Sequence, residues 1–252
     1  MKLSDGIIPF TEEWAKCRMG KLTASNMHRI FVSGRSKTEL IGQGGRTYIN
    51  QKIGEILTQV MHDDVPETDD IMRGRANEPD AILRYSEITG EKVEDSLLFQ
   101  YNAIACGTTD GEVLRSDEEI KRIIEAKSPR PHKHIQVLAV DAPIELKDID
   151  PIYWHQPQTN MLITGCEEAD FISYNDEIEY YDLQIRIVRM YPDMNWRKDF
   201  VERVDFIAGI MDTQLTKILK APERNLAYRL EKNPEAVKNL QNAIDSLKNL
   251  SI

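Results

Sequence analysis

Thr108-Thr109-Asp110-Gly111 runs into Glu112-Val113-Leu114 and, after a short insert, into Ile120-Lys121-Arg122-Ile123-Ile124-Glu125-Ala126-Lys127. Gly111 beside Asp110 is a turn signal. The apolar residues Val113 and Leu114 on one side and Ile120, Ile123 and Ile124 on the other predict two adjacent strands of a hairpin. Side chains alternate between the faces of a strand, so Glu125 and Lys127 share a face with Ile123 while Ile124 and Ala126 turn to the other. Pairing the two strands brings Asp110 close to Glu125.

Two carboxylates converging in a partly buried site repel each other and lose hydration, at roughly several kcal/mol per ion unless compensated. A divalent cation relieves both costs. Oxygen ligands alone suit Mg2+ or Mn2+, and such an ion can activate water and neutralise a phosphodiester oxygen. Lys127 can position the attacking water or stabilise charge in the transition state. Taken alone, Glu125-x-Lys127 also reads as an exposed charge pair, the commoner case on any surface.

The chain of 252 residues, 41% hydrophobic and 29% charged, has the composition of a globular protein with ample core. No apolar run approaches a membrane span, and Met1-Lys2-Leu3-Ser4-Asp5-Gly6 lacks the apolar core of a signal peptide. Cys17, Cys106 and Cys166 are odd in number and widely spaced. A reducing cytoplasm fits them, with neither zinc nor an iron-sulfur cluster expected. The net charge of -10 argues against coating nucleic acid by bulk electrostatics. It leaves room for a nuclease, whose metal ligands are acidic and whose basic residues can be concentrated in a channel.

Upstream, the pattern predicts a helix over 11–19, with Trp14 and Arg18 four apart on one face and Gly20 as its stop. Thr23-Ala24-Ser25 opens a second helix to about Phe31, capped by Thr23 or Ser25. A helix start beside Arg18 can bind phosphate; simple capping beside a surface arginine is the other reading. Residues 33–46 form a Gly-rich loop with Arg35, Lys37 and Arg46, without the spacing of a nucleotide-binding phosphate loop, read as a mobile segment touching DNA. A core-facing helix follows, with Ile49, Ile53, Ile56, Leu57 and Val60 at helical spacing, ending near His62-Asp63-Asp64. Arg73-Gly74-Arg75 leads through Glu78-Pro79 into a helix with Ile82 and Tyr85 inside, closing at Gly90. Glu78 is either a further metal ligand or a first-turn acid favoured by the helix dipole. Pro79 belongs in a first turn.

Downstream, Ser128 to His134 reads as a basic, proline-broken loop, by default an ordinary solvated one, that could also face a phosphate backbone, with His132 and His134 exposed. Tyr153 to Gly165 is a helix carrying Gln156 and Gln158, with Met161 and Leu162 facing the core; the two amides could hold a phosphate, orient water or simply be solvated. Phe171 to Tyr174 and Leu183 to Val188 read as strands, Asn195 to Leu219 as a long helix, and 225–252 as one or two more divided at Pro234. With no internal repeat or linker, one mixed domain over 1–252 is expected, its core at about 10–190 and a helical C-terminal extension at about 195–252.

Laid out in order, Trp14-x3-Arg18-x-Gly20-x2-Thr23-Ala24-Ser25, Arg73-Gly74 through Glu78, Thr109-Asp110-Gly111, Glu125-Ala126-Lys127, and Gln156-x-Gln158 ahead of Thr164-Gly165 resemble the lambda-exonuclease-like, YqaJ-type viral recombinase family of the PD-(D/E)xK nuclease superfamily. The likeness covers roughly residues 14–190. It implies a restriction-endonuclease-like α/β core with a small mixed central sheet flanked by helices. It also implies that Asp110, Glu125 and the Ala126 carbonyl hold Mg2+ or Mn2+, that Lys127 is the catalytic lysine, and that Glu78 assists the metal or its water. Arg18, Ser25, Gln158 and Gln156 would form a pocket for a 5' phosphate. Arg35, Arg46, Arg73, Arg75 and Arg130 are the candidate DNA contacts.

The implied activity is metal-dependent 5'-to-3' digestion of one strand from double-stranded DNA ends. This leaves a 3' overhang for recombination alongside a single-strand annealing protein, in the cytoplasm of a phage's bacterial host. The family's best-known member is a ring-shaped trimer, so a homo-oligomer is expected. The alternatives are an endonuclease on the same core and a noncatalytic DNA-end binding protein. Two positions depart from the family pattern. Thr109 stands in place of a proline, and Pro157 between the glutamines places a helix start there, leaving the role of Gln156 open.

Overall fold

The computed structural model describes residues 7–36, 39–61 and 68–219, together with 233, 235, 238, 239 and 242. Helix α1 (Glu12–Arg18) starts where Thr11 accepts a hydrogen bond from the Trp14 N–H at 3.2 Å. Glu12 and Glu13 in its first turn and Arg18 in its last suit the helix dipole. A short strand β1 (Leu22–Thr23), a 3-10 helix (Ala24–Ile30) and helices α2 (Gln43–Thr58) and α3 (Asp69–Thr89) follow. Strands β2 (Leu98–Gln100), β3 (Ala105–Thr108), β4 (Gly111–Leu114) and β5 (Ile120–Lys127) come next. Helices α4 (Pro131–Leu138), α5 (Leu146–Ile149) and α6 (Pro151–Thr164) precede strands β6 (Ala169–Tyr174) and β7 (Ile185–Met190) and the long helix α7 (Met194–Leu219).

The strands form two sheets, one ordered β1-β3-β2 and the other β4-β5-β6-β7. β5 pairs antiparallel with β4 and parallel with β6, and the crossover between β5 and β6 contains α4, α5 and α6. The expected hairpin is present: Gly111 lies opposite Ile124, and the Asp110 N–H donates to the Ile124 carbonyl at 3.0 Å. β3 passes into β4 across Thr109 and Asp110 alone. Asp110 therefore stands at the junction of the two sheets, opposite the end of β5.

Both faces of β5 are covered, as its alternation requires. Ile123 joins the larger core with Phe171, Tyr153 and the inner face of α7, while Ile124 and Ala126 join a second cluster with Tyr85, Ile172 and Ile185. α7 buries Trp196, Phe200, Val204, Ile207, Met211 and Leu215, a spacing that keeps one stripe on the core. α6 is unusual in that ten of its fourteen residues are buried, which makes it an internal helix. Several of its buried polar groups find partners, as burial favours: Thr159 donates to the His155 carbonyl at 2.7 Å, and His155 Nδ1 accepts from Trp196 Nε1 at 2.9 Å. Burial keeps that imidazole neutral, its pKa pushed down to about 3. Among the described residues no helix is long and apolar enough to cross a membrane.

Several local expectations are corrected. The helix after Thr23 is a 3-10 helix, and Thr23 makes no side-chain cap bond. The Gly-rich segment is not a loop throughout: Gln43 to Arg46 are the first turn of α2. A Cβ on Gly45 would lie 2.6 Å from Ile41 and 2.9 Å from the Arg29 carbonyl, so this glycine permits close packing on the 3-10 helix. α2 ends at Thr58, leaving Val60 beyond it and exposed; His62-Asp63-Asp64 and Lys37 lie outside the described residues.

Pro79 sits well inside α3, which starts at Asp69, and Pro157 sits inside α6, which starts at Pro151. Each removes one helix hydrogen bond, a cost of about 3 kcal/mol, offset in α6 by burial on nearly all sides. The expected loop from Ser128 gives way to α4, on which His134 is buried. Its Nδ1 bonds to Ser173 Oγ and its Nε2 to the Leu183 carbonyl, both at 2.8 Å, while His132 is exposed. The helices expected in 225–252 fall largely outside the described residues.

Candidate active site

Glu125 is fully buried near the end of β5, and its Oε1 takes a hydrogen bond from Lys127 Nζ. The same ammonium lies 3.7 Å from Asp110 Oδ2. Asp110 Oδ2 in turn accepts from the Ala126 N–H at 2.8 Å. In a ladder the N–H and C=O of one residue point to the same side. The Ala126 carbonyl therefore also faces the Asp110 edge, beyond the point where β4 begins at Gly111. Asp110, Glu125, Lys127 and Ala126, four residues singled out in the sequence, are thus gathered at one place.

Burial first, and the Asp110 carboxylate second, push the Glu125 carboxyl well above the usual carboxylate range, against the pull of Lys127. Burial works against the charge on Lys127, but Glu125 and Asp110 outweigh it and hold the ammonium more firmly than in an ordinary lysine. Glu78, half-buried on α3, is pushed up to about 7 by burial and then by Asp110, with Lys127 opposing. It stands mid-helix, so the first-turn dipole reading fails. Three carboxyl groups and one ammonium thus act on one another here.

That surplus of negative charge, carried on oxygen, is the donor chemistry a small divalent cation takes. The Asp110 and Glu125 carboxylates with the Ala126 carbonyl fit that role. Among the described residues, no three His, Cys, Asp or Glu side chains converge closely enough to hold an ion by themselves. Such an ion would therefore draw on the backbone and water as well.

Asp110 and Glu78 open onto a cavity of about 550 Å3 that is also lined by Arg18, Ser25, Gln156, Trp14, Phe10 and Arg75. The Arg18 guanidinium lies over the Trp14 ring at 4.0 Å, and its Nε is buried without a hydrogen-bond partner. α2 holds this wall in place. The Gly20 N–H donates to Glu55 Oε2 at 2.8 Å, the Thr23 N–H donates to the Tyr48 hydroxyl at 2.9 Å, and Thr23 Oγ1 lies 3.3 Å from Ser25 Oγ. Burial pushes the Tyr48 phenol up to about 12, so it remains a neutral hydroxyl.

The remaining candidates lie apart. Gln158 does not line the cavity: its amide donates to the Tyr191 carbonyl at 2.8 Å and accepts from the Asp193 N–H at 3.0 Å, tying α6 to the start of α7. Arg73 donates to the Ser128 carbonyl at 3.0 Å and lies 3.3 Å from Asp70, while Arg130 lies 2.6 Å from the same Asp70. Arg46 pairs with Glu39 at 2.9 Å, and Arg35 is exposed; neither lines the cavity.

Sequence reasoning missed Asn160. Its Nδ2 donates at 3.1 Å both to Glu125 Oε2 and to the Thr108 carbonyl. The available signal was its position four residues after Gln156, on the same face of α6.

A family model for the YqaJ-like viral recombinase domain matches residues 13–167. Among solved structures, the alkaline exonuclease from Laribacter hongkongensis is 25% identical with a TM-score of 0.68, over 89% of this chain and 99% of that one; its complex with dAMP gives the same figures. A phage-related exonuclease from Haemophilus somnus 129PT, 16% identical over 79% of this chain and 96% of its own, has a TM-score of 0.61 and shares the fold. No curated protein matches the chain. The match spans more than half the chain and contains Arg18, Ser25, Glu78, Asp110, Glu125 and Lys127. This chain belongs to the YqaJ-like viral recombinase domain family.

Proposed function

We propose that this protein is a metal-dependent nuclease that digests one strand of double-stranded DNA from its 5' end, leaving a 3' overhang for phage-type recombination. The observation that carries the reading is one cavity lined both by the acids Asp110 and Glu78 and by Arg18 and Ser25. A phosphate bound by the Arg18 guanidinium and the Ser25 hydroxyl would hold a DNA end against the acids. The Laribacter hongkongensis exonuclease supports the reading, having been crystallised with dAMP, a nucleoside monophosphate of the kind such a cut releases.

Asp110, Glu125 and the Ala126 carbonyl would hold Mg2+ or Mn2+, which when bound would polarise the phosphodiester and lower the pKa of water. Lys127, kept protonated by its two carboxylate neighbours, donates to the attacking water and to the charge that develops on phosphorus oxygens. Glu78, pushed up to about 7, takes up the proton that the water releases. The P–O3' bond breaks as the new P–O bond forms; the attacked phosphate stays on the shortened strand as its new 5' phosphate, and the freed nucleotide leaves with its own 5' phosphate and a 3' oxygen that takes a proton from solvent water. Arg75 on the cavity wall supports the DNA backbone, the protein acts as a homo-oligomer in the host cytoplasm, and an annealing protein receives the 3' strand.

The test offers the purified protein linear duplexes with 5' phosphate or 5' hydroxyl ends, and closed circular DNA, with Mg2+ or chelator. Mg2+-dependent shortening of linear DNA from the 5' end, faster with the phosphate, is expected. Cutting of the circle would move the reading to an endonuclease, and end binding without cutting would make it a noncatalytic end-binding protein.

A further inference from the structure

Phe10 combines two unfavourable features at the rim of the cavity. The residue is 75% exposed, and its backbone is held in the left-handed region at φ 65°, where a side chain with a Cβ is strained. The turn is nonetheless pinned on both sides. Upstream, Ile7 bridges to Leu98, whose N–H donates to the Ile7 carbonyl at 3.2 Å. Downstream, Thr11 donates to the Ile8 carbonyl at 2.9 Å while capping α1. The flanking contacts fix the backbone of the turn on either side of Phe10.

The ring's neighbours form an ordered row. Arg18 lies over Trp14 at 4.0 Å, Trp14 is 5.2 Å from Phe10 at a 40° tilt, and Arg75 lies over Phe10 at 5.6 Å. Trp14 is itself fixed, with its indole N–H donating to Thr108 Oγ1 at 3.2 Å. All four side chains line the cavity that contains Asp110. Two adjacent aromatic rings with a cation at either end suit a group that is flat, π-rich and attached to an anion. Nucleobases stack on such surfaces whatever their identity.

We infer that Phe10 is a stacking platform for the nucleobase of the 5'-terminal nucleotide, with Trp14 as its backing and Arg18 as the neighbouring phosphate site. The inference rests on the proposed end-binding function and adds a base subsite to it. Stacking there turns the terminal base away from its partner in the duplex and orders the first nucleotide next to the acids. Because every base presents a π face, the platform favours a nucleotide without selecting a sequence.

The experiment uses the full chain in chelator, so that nothing is cut, and a short 5'-phosphorylated duplex carrying 2-aminopurine as its first base. Wild type is expected to bind and to change the 2-aminopurine fluorescence by stacking. Phe10→Ala is expected to weaken binding about tenfold and to lose the fluorescence change, and Phe10→Trp to keep both. The penalty of Phe10→Ala should vanish on a duplex whose first nucleotide is abasic. Since Phe10 is exposed, equal thermal melting of the variants serves as the fold control. Equal affinity of wild type and Phe10→Ala, or the same penalty on the abasic end, overturns the base platform while leaving end binding intact. Failure of wild type to bind duplex ends at all overturns the functional reading, and the platform with it.

Discussion

Asn160 donates a hydrogen bond from its side-chain amide to Oε2 of the buried Glu125, at 3.1 Å. The same nitrogen donates to the Thr108 carbonyl, two residues before Asp110, also at 3.1 Å. One amide on α6 thereby ties the carboxyl group on β5 to the end of β3, just before Asp110. Gly107 leaves room for it: a Cβ there would fall 2.2 Å from Asn160 Oδ1.

Asn160→Ala is expected to weaken Mn2+ binding by about tenfold or more, the usual cost of losing a group that orients a ligand. Gly107→Ala should act in the same direction by displacing the amide. Titration of Mn2+ followed by electron paramagnetic resonance reads this without any turnover. An unchanged affinity in both variants would reduce Asn160 to packing.

Lys127→Ala should lower the nuclease rate by on the order of 10²–10³. It should also destabilise the fold in chelator by on the order of 3 kcal/mol, because Glu125 and Asp110 lose their counter-charge. Mg2+ should recover much of the lost melting temperature, since a divalent cation supplies that charge. If melting in chelator matched wild type, the ammonium would not be the partner described above.

Arg18→Gln should erase the preference for a 5' phosphate over a 5' hydroxyl, a loss of roughly tenfold or more in the rate ratio. Ser25→Ala should lower the ratio less. Rates on matched duplexes that differ only in the 5' group decide it. A ratio that survives in Arg18→Gln places the phosphate elsewhere.

Glu78 predicts a pH dependence of stability. Its carboxyl is raised to about 7 in the folded protein, above its ordinary value of 4.5, so between those values the folded state holds a proton that the unfolded state has lost. Stability contributed by the protonated form is complete below pH 4.5 and declines as pH rises to about 7. Glu78→Gln imitates the protonated form. In chelator the variant and wild type should melt alike near pH 4.5, and the variant should melt higher at pH 8. With allowance for solvent screening at this half-exposed position the gap is on the order of 1–2 kcal/mol, or roughly 2–8 °C. A gap independent of pH would mean that Glu78 titrates normally.

The parts of this site that could be read from sequence were those fixed by short-range geometry. Alternation in β5 put Glu125 and Lys127 on one face, the hairpin brought Asp110 to them, and a four-residue spacing put Arg18 over Trp14. What escaped depended on distant partners. Pro79 and Pro157 looked like helix starts because local rules price the missing hydrogen bond without seeing the packing that offsets it. His134 looked like an exposed loop residue because Ser173 and Leu183, which bury it, are remote in sequence. Gln158, expected at the phosphate pocket, instead bonds through its amide to Tyr191 and Asp193, which are remote in sequence. Asn160 carried no motif of its own.

The parallel pairing of β5 with β6 has a further consequence, for the newly made chain. The strand bearing Glu125 and Lys127 is synthesised well before its neighbour, which begins only at Ala169, and α4, α5 and α6 must fold in between. Until then one edge of β5 is open, and Asn160 has yet to reach Glu125. Such non-local closure is slow compared with hairpin formation. A ribosome-bound chain would thus display its acidic hairpin early but complete the surroundings of Glu125 only after residue 174 has emerged, so that any activity of this site waits on the strand that follows α6.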